Sequence, residues 1–323
     1  MKKVLVNKPI HAAAIQRLAE EVQVLTPFAA PATQVIEMME GVHGLVLCAG
    51  LNVTGQEMER WHALQVIGRH GAGLDFVDIQ AATQRGLPVV YTPGGPTESA
   101  AEHTLLLILA AARRLPLLDR ATRAGNFAIR DQIVGLELQG MTLGVVGFGR
   151  IGQRVASMCR DALGMSVYVF DPYLPRSIVE EWGATCVATL KELAGIVDVL
   201  TIHCPLNSDT RHILSAEIIG AMQPGAILIN TSRGPIVEEP ALVQALREER
   251  LGGAGLDVYD PEPPDPLNPL FTFDNVVLTP HLASFTEQGR RRMGMMVVED
   301  VLRVLREEKP LFLANPQVLT MSH

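Results

Sequence analysis

The chain has 323 residues, 48% of them hydrophobic, so it is long enough for two domains with buried cores of their own. Its formal net charge is −8 and it contains no block of basic residues, which argues against a nucleic-acid or anionic-membrane partner. The longest apolar stretch, Thr104–Ala112, is far shorter than a membrane-spanning helix.

The first predicted region is an α/β domain that runs from the start of the chain to about Ser99. Strand-like apolar runs, separated by helical segments such as Ile10–Glu20 and Gln56–Trp61, stand at Lys3–Val6, Gly44–Leu47, Val66–Gly68 and Pro88–Val90. Thr54 and Glu57 have the spacing of a capping box at a helix start. The Pro- and Gly-rich segment Tyr91–Thr97 predicts a linker.

The second predicted region opens with Ser99 and Glu102, a further capping box, before an apolar helix from Ala100 to about Asp119. Strands are predicted near Thr142–Val146, Ser166–Phe170, Asp198–His203, Ala226–Asn230, Gly253–Val258 and Val276–Leu278. Their alternation with helices predicts a parallel, doubly wound sheet, and this second region is expected to end near Phe285. The final amphipathic helix, Ser284–Glu308, is expected to return to the first domain, because one helix cannot bury its own apolar face.

The stretch Met141–Gly152 has the pattern of a dinucleotide-binding turn. Gly147, Gly149 and Gly152 form G-x-G-x-x-G between a strand and a helix, and Asp171 ends the next strand. The first glycine allows the tight turn, the second lets the backbone approach a pyrophosphate, and the third lets helix and strand pack closely. Asp171 would bind a ribose diol and repel a 2′-phosphate, which predicts NAD rather than NADP.

Three polar side chains at predicted strand ends suit carbonyl chemistry beside a nicotinamide. Arg233 follows the strand AILIN, Glu262 follows GAGLDV, and His281 follows VVLTP. The carboxyl ends of parallel strands meet at one edge of a sheet, where ligands bind. A histidine can exchange a proton near neutral pH, a carboxylate can hold its ring, and a guanidinium can bind a carboxylate in bidentate geometry. The sequence therefore predicts hydride transfer to or from a carbonyl carbon.

The cysteines indicate neither disulfides nor a metal centre. Cys48, Cys159, Cys186 and Cys204 are widely spaced and predict reduced core residues of a cytoplasmic protein. Cys204 and nearby His203 have no further ligand at metal spacing, so no metal is expected.

Taken together, these segments resemble the D-isomer-specific 2-hydroxyacid dehydrogenases. VVGFGRIG, INTSRGPIVEE, GLDVYDPEPP and LTPHLAS stand in the family order, after IGRHGAGLDFVDI and TPGGPTESAAEHTLLLILAAARR, so the resemblance covers nearly the whole chain. It implies an α/β protein of two Rossmann-like, doubly wound parallel-sheet domains. The discontinuous substrate domain would comprise residues 1–98 and 286–323, and the NAD-binding Rossmann domain residues 99–285. It also implies a homodimer formed through the long helix after Ser99.

The resemblance implies a role for each site residue. Arg233 would bind the substrate carboxylate and carbonyl oxygen, His281 would be the acid/base, and Glu262 its partner. Backbone N–H groups at Ala72 and Gly73 would help to hold the substrate carboxylate. Besides the three glycines and Asp171, the residues expected around the NAD are Arg150, Ile151, Cys204, Pro205, Thr231, Ser232, Asp257, Ala283 and Ser284.

The chain departs from the family pattern where the substrate binds. Members acting on phosphorylated substrates carry an Arg and a Lys where this chain has Cys48 and Asn52, although Arg69 remains. Losing those cations would remove charge-assisted bonds to a phosphate, which favours glyoxylate or hydroxypyruvate over 3-phosphoglycerate. At the expected dimer contact, Phe127 stands where Trp is common.

The expected function is NAD-dependent interconversion of a small 2-oxo acid and its D-2-hydroxy acid. Two alternatives stay open, an NAD(H)-sensing, corepressor-like interaction protein on the same fold and a 3-phosphoglycerate dehydrogenase. Oxidation of NADH with a panel of 2-oxo acids would distinguish the three.

Overall fold

The computed structural model describes residues 1–320, which form two compact α/β units. One unit contains Met1–Ser99 together with residues 284–320, and the other is Ala100–Ala283. Each is built on a parallel sheet, so the predicted fold class is confirmed. The last three residues of the expected segment 286–323 lie outside the described residues.

Strands and helices alternate along most of the chain. The strands are β1 (Lys3–Val6), β2 (Gln23–Leu25), β3 (Gly44–Leu47), β4 (Val66–Arg69), β5 (Val89–Tyr91), β6 (Thr142–Val146), β7 (Ser166–Phe170), β8 (Thr185–Cys186), β9 (Val199–Ile202), β10 (Ile227–Asn230), β11 (Gly253–Leu256) and β12 (Val276–Leu278). The helices are α1 (Ala12–Ala19), α2 (Ala32–Glu37), α3 (Gly55–Arg60), α4 (Ile79–Gln84), α5 (Thr97–Ala112), α6 (Leu115–Arg123), α7 (Arg150–Leu163), α8 (Arg176–Glu181), α9 (Leu190–Ile196), α10 (Ala216–Ala221), α11 (Glu239–Arg247) and α12 (Glu287–Leu305). Within residues 1–320, none of these helices is long and apolar enough to cross a membrane.

The first unit is a five-stranded parallel sheet in the order β2-β1-β3-β4-β5. Helix α12, from the far end of the chain, packs on β3, β4 and β5 and adds Val297 and Val301 to the core. The buried Asp300 of α12 accepts hydrogen bonds from the N–H groups of Leu311 (2.7 Å) and Phe312 (2.8 Å). The C-terminal helix and the segment after it therefore complete the core of the unit that contains the N-terminus.

The second unit is a seven-stranded parallel sheet in the order β12-β11-β10-β9-β6-β7-β8. Neighbours along a strand, such as Val145 and Val146, belong to different core clusters, so the sheet is buried on both faces. Strand order reverses at β6, with β7 on one side and β9 on the other. Such a reversal opens a crevice at the carboxyl ends of the strands, where ligands of this fold class bind.

Two predictions about elements were wrong. The helix expected from Ala100 to Asp119 is two helices, because Arg114 has a left-handed φ of 50° and Pro116 follows at the start of α6. Ser99 does not cap a helix, since α5 already begins at Thr97, and its hydroxyl lies 2.7 Å from that of Thr286 instead. The edge strands β2 and β8 were not predicted, because runs this short show no periodicity.

We expect the contact between β4 and α12 to be sensitive to added volume. A Cβ at Gly68 would lie 2.5 Å from Val301 Cγ2 and 2.8 Å from Val297 Cγ2. Gly68→Ala should therefore lower the free energy of unfolding by about 1–3 kcal/mol in urea denaturation. Gly94→Ala is the control, since its Cβ would have no atom within 4 Å. Equal stability of the two variants would contradict this packing.

Candidate active site

The glycine turn between β6 and α7 has the shape that a dinucleotide requires. Gly147 has a φ of 88°, and a Cβ there would lie 2.6 Å from the backbone nitrogen of Cys204. A Cβ at Gly152 would lie 2.3 Å from the carbonyl oxygen of Gly147. Gly149 is exposed and has no atom within 4 Å of a Cβ position. Close packing thus requires glycine at positions 147 and 152, and Gly149 leaves space for a pyrophosphate.

Asp171 is fixed beside this turn. Its Oδ2 accepts a hydrogen bond from the N–H of Phe148 (2.8 Å), and its Oδ1 from the N–H of Tyr173 (2.9 Å). Each carboxylate oxygen has a second lone pair, so both can still accept from ribose hydroxyls. Gly149, the N-cap of α7, has no side chain, which leaves the first N–H groups of the helix for phosphate oxygens. The arrangement fits the adenosine and pyrophosphate portion of a dinucleotide.

The other residues expected around the cofactor lie in the same unit, except Ser284. They are Arg150 and Ile151 at the start of α7, Cys204 and Pro205 after β9, Thr231 and Ser232 after β10, Asp257 after β11, and Ala283 after β12. Ser232 Oγ donates to the carbonyl oxygen of Cys204 (2.6 Å), which joins two of these loops. The hydroxyls of Thr231 and Thr104 lie 2.8 Å apart. Ser284 is the first residue of the returning segment of the other unit.

The carboxylate of Asp257 is fully buried, with 0% exposure. It accepts hydrogen bonds from the hydroxyl of Thr279 (2.6 Å) and from the N–H groups of Leu282 (3.0 Å) and Ala283 (2.8 Å). His103 Nε2 lies 3.5 Å from Oδ1 of Asp257 and 2.9 Å from the hydroxyl of Thr279. Burial favours the neutral form, but the hydrogen bonds outweigh it and hold the pKa of Asp257 below its ordinary value. Asp257 therefore remains a carboxylate.

These bonds fix the turn that carries His281. His281 has a left-handed φ of 53°, a conformation that costs a non-glycine residue about 1–2 kcal/mol. Its N–H donates to the backbone carbonyl of Asp257 (2.7 Å). Three consecutive N–H groups, those of His281, Leu282 and Ala283, are thus bound by one residue. Asp257 stabilises a backbone conformation that the sequence of the turn would not favour by itself.

His281 and Glu262 form a direct pair. His281 Nδ1 lies 2.6 Å from Glu262 Oε2, and both side chains are about one-third exposed. The other oxygen of Glu262 accepts from the N–H of Tyr259 (3.0 Å), and the Tyr259 hydroxyl donates to the carbonyl of Thr279 (2.9 Å). The carboxylate is therefore held on the Nδ1 side of the ring, which leaves Nε2 for other partners.

Arg233 lies in the neighbouring loop, after β10. Gly234 is in such close contact with Tyr259 that a Cβ there would be 1.9 Å from the Tyr259 carbonyl oxygen. The side chain of Arg233 donates from Nη1 to the carbonyl of Ser232 (2.6 Å). The loops after β10, β11 and β12 thus place an arginine, a glutamate and a histidine at one edge of the seven-stranded sheet.

Two other histidines are unsuited to donating a proton. Burial lowers the pKa of His203 to about 3. Burial, and then the charge of Arg69, lowers the pKa of His70 to about 4. Neither is protonated near neutral pH, so neither has a proton to give there.

Ala72 and Gly73 lie in the loop after β4 of the first unit. Arg69, which is 7% exposed, holds this loop from inside. Its Nε donates to the carbonyl of Gly73 (2.9 Å), and its Nη1 donates to the carbonyls of His70 (2.7 Å) and Leu47 (3.2 Å). A buried guanidinium, rather than a regular element, therefore sets the path of the loop expected to bind the substrate carboxylate.

The sequence did not identify three supporting residues, His103, Tyr259 and Thr279. Tyr259 and Thr279 lie within the motifs that contain Glu262 and His281, and position in those motifs is the only signal for them. His103 lies in the apolar helix α5, where the sequence predicts no site residue. Its contact with Asp257 depends on how α5 packs on the sheet, which spacing does not show.

The sequence of this chain is similar to those of known proteins. Residues 105–283 match the family described as D-isomer specific 2-hydroxyacid dehydrogenase, NAD binding domain. The D-3-phosphoglycerate dehydrogenase of Methanocaldococcus jannaschii is 40% identical over 308 residues, which are 95% of this chain and 58% of that protein. The chain thus spans little more than half the length of this relative and of two others with the same name.

Two further similarities cover most of both proteins. The glyoxylate reductase of Aeropyrum pernix is 41% identical over 262 residues, 79% of this chain and 78% of that protein. The solved NADPH-dependent glyoxylate/hydroxypyruvate reductase of Sinorhizobium meliloti, in complex with NADP and malonate, superposes with a TM-score of 0.87. It is 31% identical, and the match covers 98% of this chain and 97% of that one.

We expect Asp257→Asn to loosen the His281 turn. Whichever way the amide is turned, its NH2 group would face the N–H of Leu282 or Ala283, so one backbone donor loses its acceptor. The free energy of unfolding should fall by about 1–3 kcal/mol, and amide exchange at residues 281–283 should accelerate.

Because the pKa of Asp257 is depressed in the folded protein, its stabilisation is complete at neutral pH. It is lost as the pH falls through the folded pKa, so the difference between wild type and variant should shrink below about pH 4. Asp274→Asn, at an exposed carboxylate, is the control. A difference that persists unchanged to pH 2 would contradict the role of the ionised carboxylate.

Proposed function

This chain belongs to the D-isomer specific 2-hydroxyacid dehydrogenase family, and we propose that it interconverts a small 2-oxo acid and its D-2-hydroxy acid with NAD(H). The observation that carries this proposal is the His281–Glu262 pair. His281 Nδ1 lies 2.6 Å from Glu262 Oε2, in the unit whose glycine turn fits a dinucleotide. Use of a nicotinamide cofactor follows from the family and agrees with the shape of that turn.

A bound nicotinamide supplies the hydride for the carbonyl carbon. With Glu262 on Nδ1, the Nε2 of His281 is the nitrogen that gives a proton to the carbonyl oxygen in reduction and takes it back in oxidation. Glu262 prevents the ring from rotating and compensates the positive charge that the ring carries before it gives up its proton. The Asp257 network keeps the backbone of the turn, and therefore the ring, in one position.

Arg233 is proposed to bind the substrate carboxylate with two parallel N–H···O bonds and to polarise the adjacent carbonyl group. The N–H groups of Ala72 and Gly73 are proposed to help hold the same carboxylate. Residues 1–98 and 286–323 would then form the substrate domain and residues 99–285 the NAD-binding domain.

Asp171 supports NAD over NADP, because its fixed carboxylate offers acceptors to a ribose diol and repels a 2′-phosphate. The relative from Sinorhizobium meliloti is NADPH-dependent, so the family name does not decide the cofactor. The four cysteines are free, which supports a cytoplasmic location.

A second candidate activity is oxidation of 3-phosphoglycerate. It is favoured by the 40% identity to a protein of that name, and opposed by Cys48 and Asn52. Both candidate activities interconvert a 2-hydroxy acid and its 2-oxo acid. Their substrates differ only in the group attached beyond the carbon that is oxidised or reduced.

A homodimer is proposed from an apolar surface on the second unit. On α5 and in the segment that joins it to β6, several large apolar side chains are exposed, namely Leu106, Leu109, Leu115, Phe127, Val134 and Leu136. Phe127 is 69% exposed and Val134 is 90% exposed. Several exposed large apolar side chains in one stretch of chain are typical of an interaction surface.

His281→Ala should lower kcat for NADH oxidation with a 2-oxo acid by about 10²–10⁴-fold, because it removes the proton donor. The Kd for NADH should stay near the wild-type value, since the glycine turn is untouched. The measurement is the initial rate with glyoxylate, hydroxypyruvate, pyruvate and 3-phosphohydroxypyruvate, and His62→Ala, at an exposed histidine, is the control. Wild-type turnover by the His281 variant would refute the assignment.

The double variant Phe127→Glu, Val134→Glu should shift the protein from dimer to monomer in analytical ultracentrifugation. Two charges would have to be buried in an apolar contact, which is strongly unfavourable. Leu267→Glu is the control, because Leu267 is 88% exposed in the same unit but lies outside residues 106–136. A double variant that remains dimeric would place the interface elsewhere.

A further inference from the structure

Three cations lie at one edge of the five-stranded sheet in the first unit. Lys8 follows β1, Arg69 ends β4, and Arg290 lies in the first turn of α12. Strand β3 lies between β1 and β4, so Cys48, the residue after β3, stands between the two strand ends. We call Lys8, Arg69 and Arg290 the cationic rim.

Contacts place the rim around the loop that follows β3. The Cε of Lys8 lies 3.7 Å from the position of a Cβ on Gly50. Arg290 Nη2 donates to the carbonyl of Pro9 (3.2 Å), which holds this arginine beside the residue next to Lys8. Arg69 Nη1 donates to the carbonyl of Leu47, the last residue of β3. Three segments that are distant along the chain thus bring positive charge to one loop.

The positive charges of the cationic rim all act on the pKa of the Cys48 thiol. Burial raises the pKa of Cys48 to about 11, and the charges of Arg69, Arg290 and Lys8 each oppose that shift. Nearby carboxylates do not neutralise the two outer cations. Within residues 1–320, neither Lys8 nor Arg290 has a carboxylate within 4.0 Å, and Glu287 of the same helix turn pairs with His11 (2.8 Å) instead.

We propose that the cationic rim binds a second anionic group of the substrate, a carboxylate or a phosphate, attached beyond the carbonyl carbon. This assignment rests on the proposed function, in which the first carboxylate is held by Arg233 and the loop at Ala72 and Gly73. Lys8 is exposed and Arg290 half-buried, so both can donate charge-assisted hydrogen bonds to an anion. Arg69 is engaged with backbone carbonyls and contributes its charge.

The rim changes the inference drawn from Cys48 and Asn52. Those positions lack the cations of family members that act on phosphorylated substrates, but Lys8 and Arg290 supply positive charge to the same loop from other elements. A substrate with a second negative charge therefore fits this edge better than glyoxylate does.

The test compares kcat/KM, at saturating NADH, for two matched pairs of 2-oxo acids. Oxaloacetate is compared with 2-oxobutyrate, and 3-phosphohydroxypyruvate with hydroxypyruvate. The acid with the second anionic group should be preferred about tenfold or more, and the pair with the larger ratio identifies carboxylate or phosphate. Arg290→Gln and Lys8→Gln should each lower kcat/KM for that acid by about tenfold and leave kcat/KM for the acid without the second anionic group unchanged.

Two variants provide controls. Arg290→Lys keeps the charge and should retain most of the preference, which separates charge from folding effects. Arg291→Gln, at the exposed neighbouring arginine of α12, should change neither member of a pair. Equal kcat/KM within both pairs, or an equal loss for both members in Arg290→Gln, would overturn the inference and leave the proposed function standing. No turnover with any acid would overturn the proposed function and this inference with it.

Discussion

The proposed site depends on the hydrogen bonds that the buried carboxylate of Asp257 accepts. Burial of an ionised carboxylate is unfavourable unless hydrogen-bond donors surround it. Here the donors are the Thr279 hydroxyl and the N–H groups of Leu282 and Ala283. Because the same residue also accepts the N–H of His281, the left-handed backbone at His281 is compensated by hydrogen bonds. The ring is thus attached to a turn with one conformation, a requirement for positioning a proton donor.

Sheet topology explains why the polar residues meet. Strands β10, β11 and β12 are neighbours and all parallel, so Arg233, Glu262 and His281 follow adjacent strand ends although they are far apart in sequence. The glycine turn follows β6, where the strand order reverses, and a dinucleotide would lie across that reversal. The first unit uses the same principle, since its cationic rim also lies at the carboxyl ends of parallel strands.

Much of this could be predicted from the sequence, because it depends on local pattern. The alternation of strands and helices predicts both sheets, and the spacing of Gly147, Gly149 and Gly152 predicts a turn whose steric reasons the structure makes explicit. What could not be predicted depends on packing between distant segments. The left-handed Arg114 that divides the predicted helix, the contact of His103 with Asp257, and the approach of Arg290 to Pro9 have no local signal.

The central claim is that Glu262 holds the Nδ1 side of His281 so that Nε2 carries the reacting proton. The most direct measurement is ¹⁵N NMR of the neutral His281 ring, assigned by comparison with the His281→Asn protein. The structure predicts that the neutral ring carries its proton on Nδ1, where it faces Glu262, and that Glu262→Gln weakens this preference. A neutral ring with its proton on Nε2 would contradict the account.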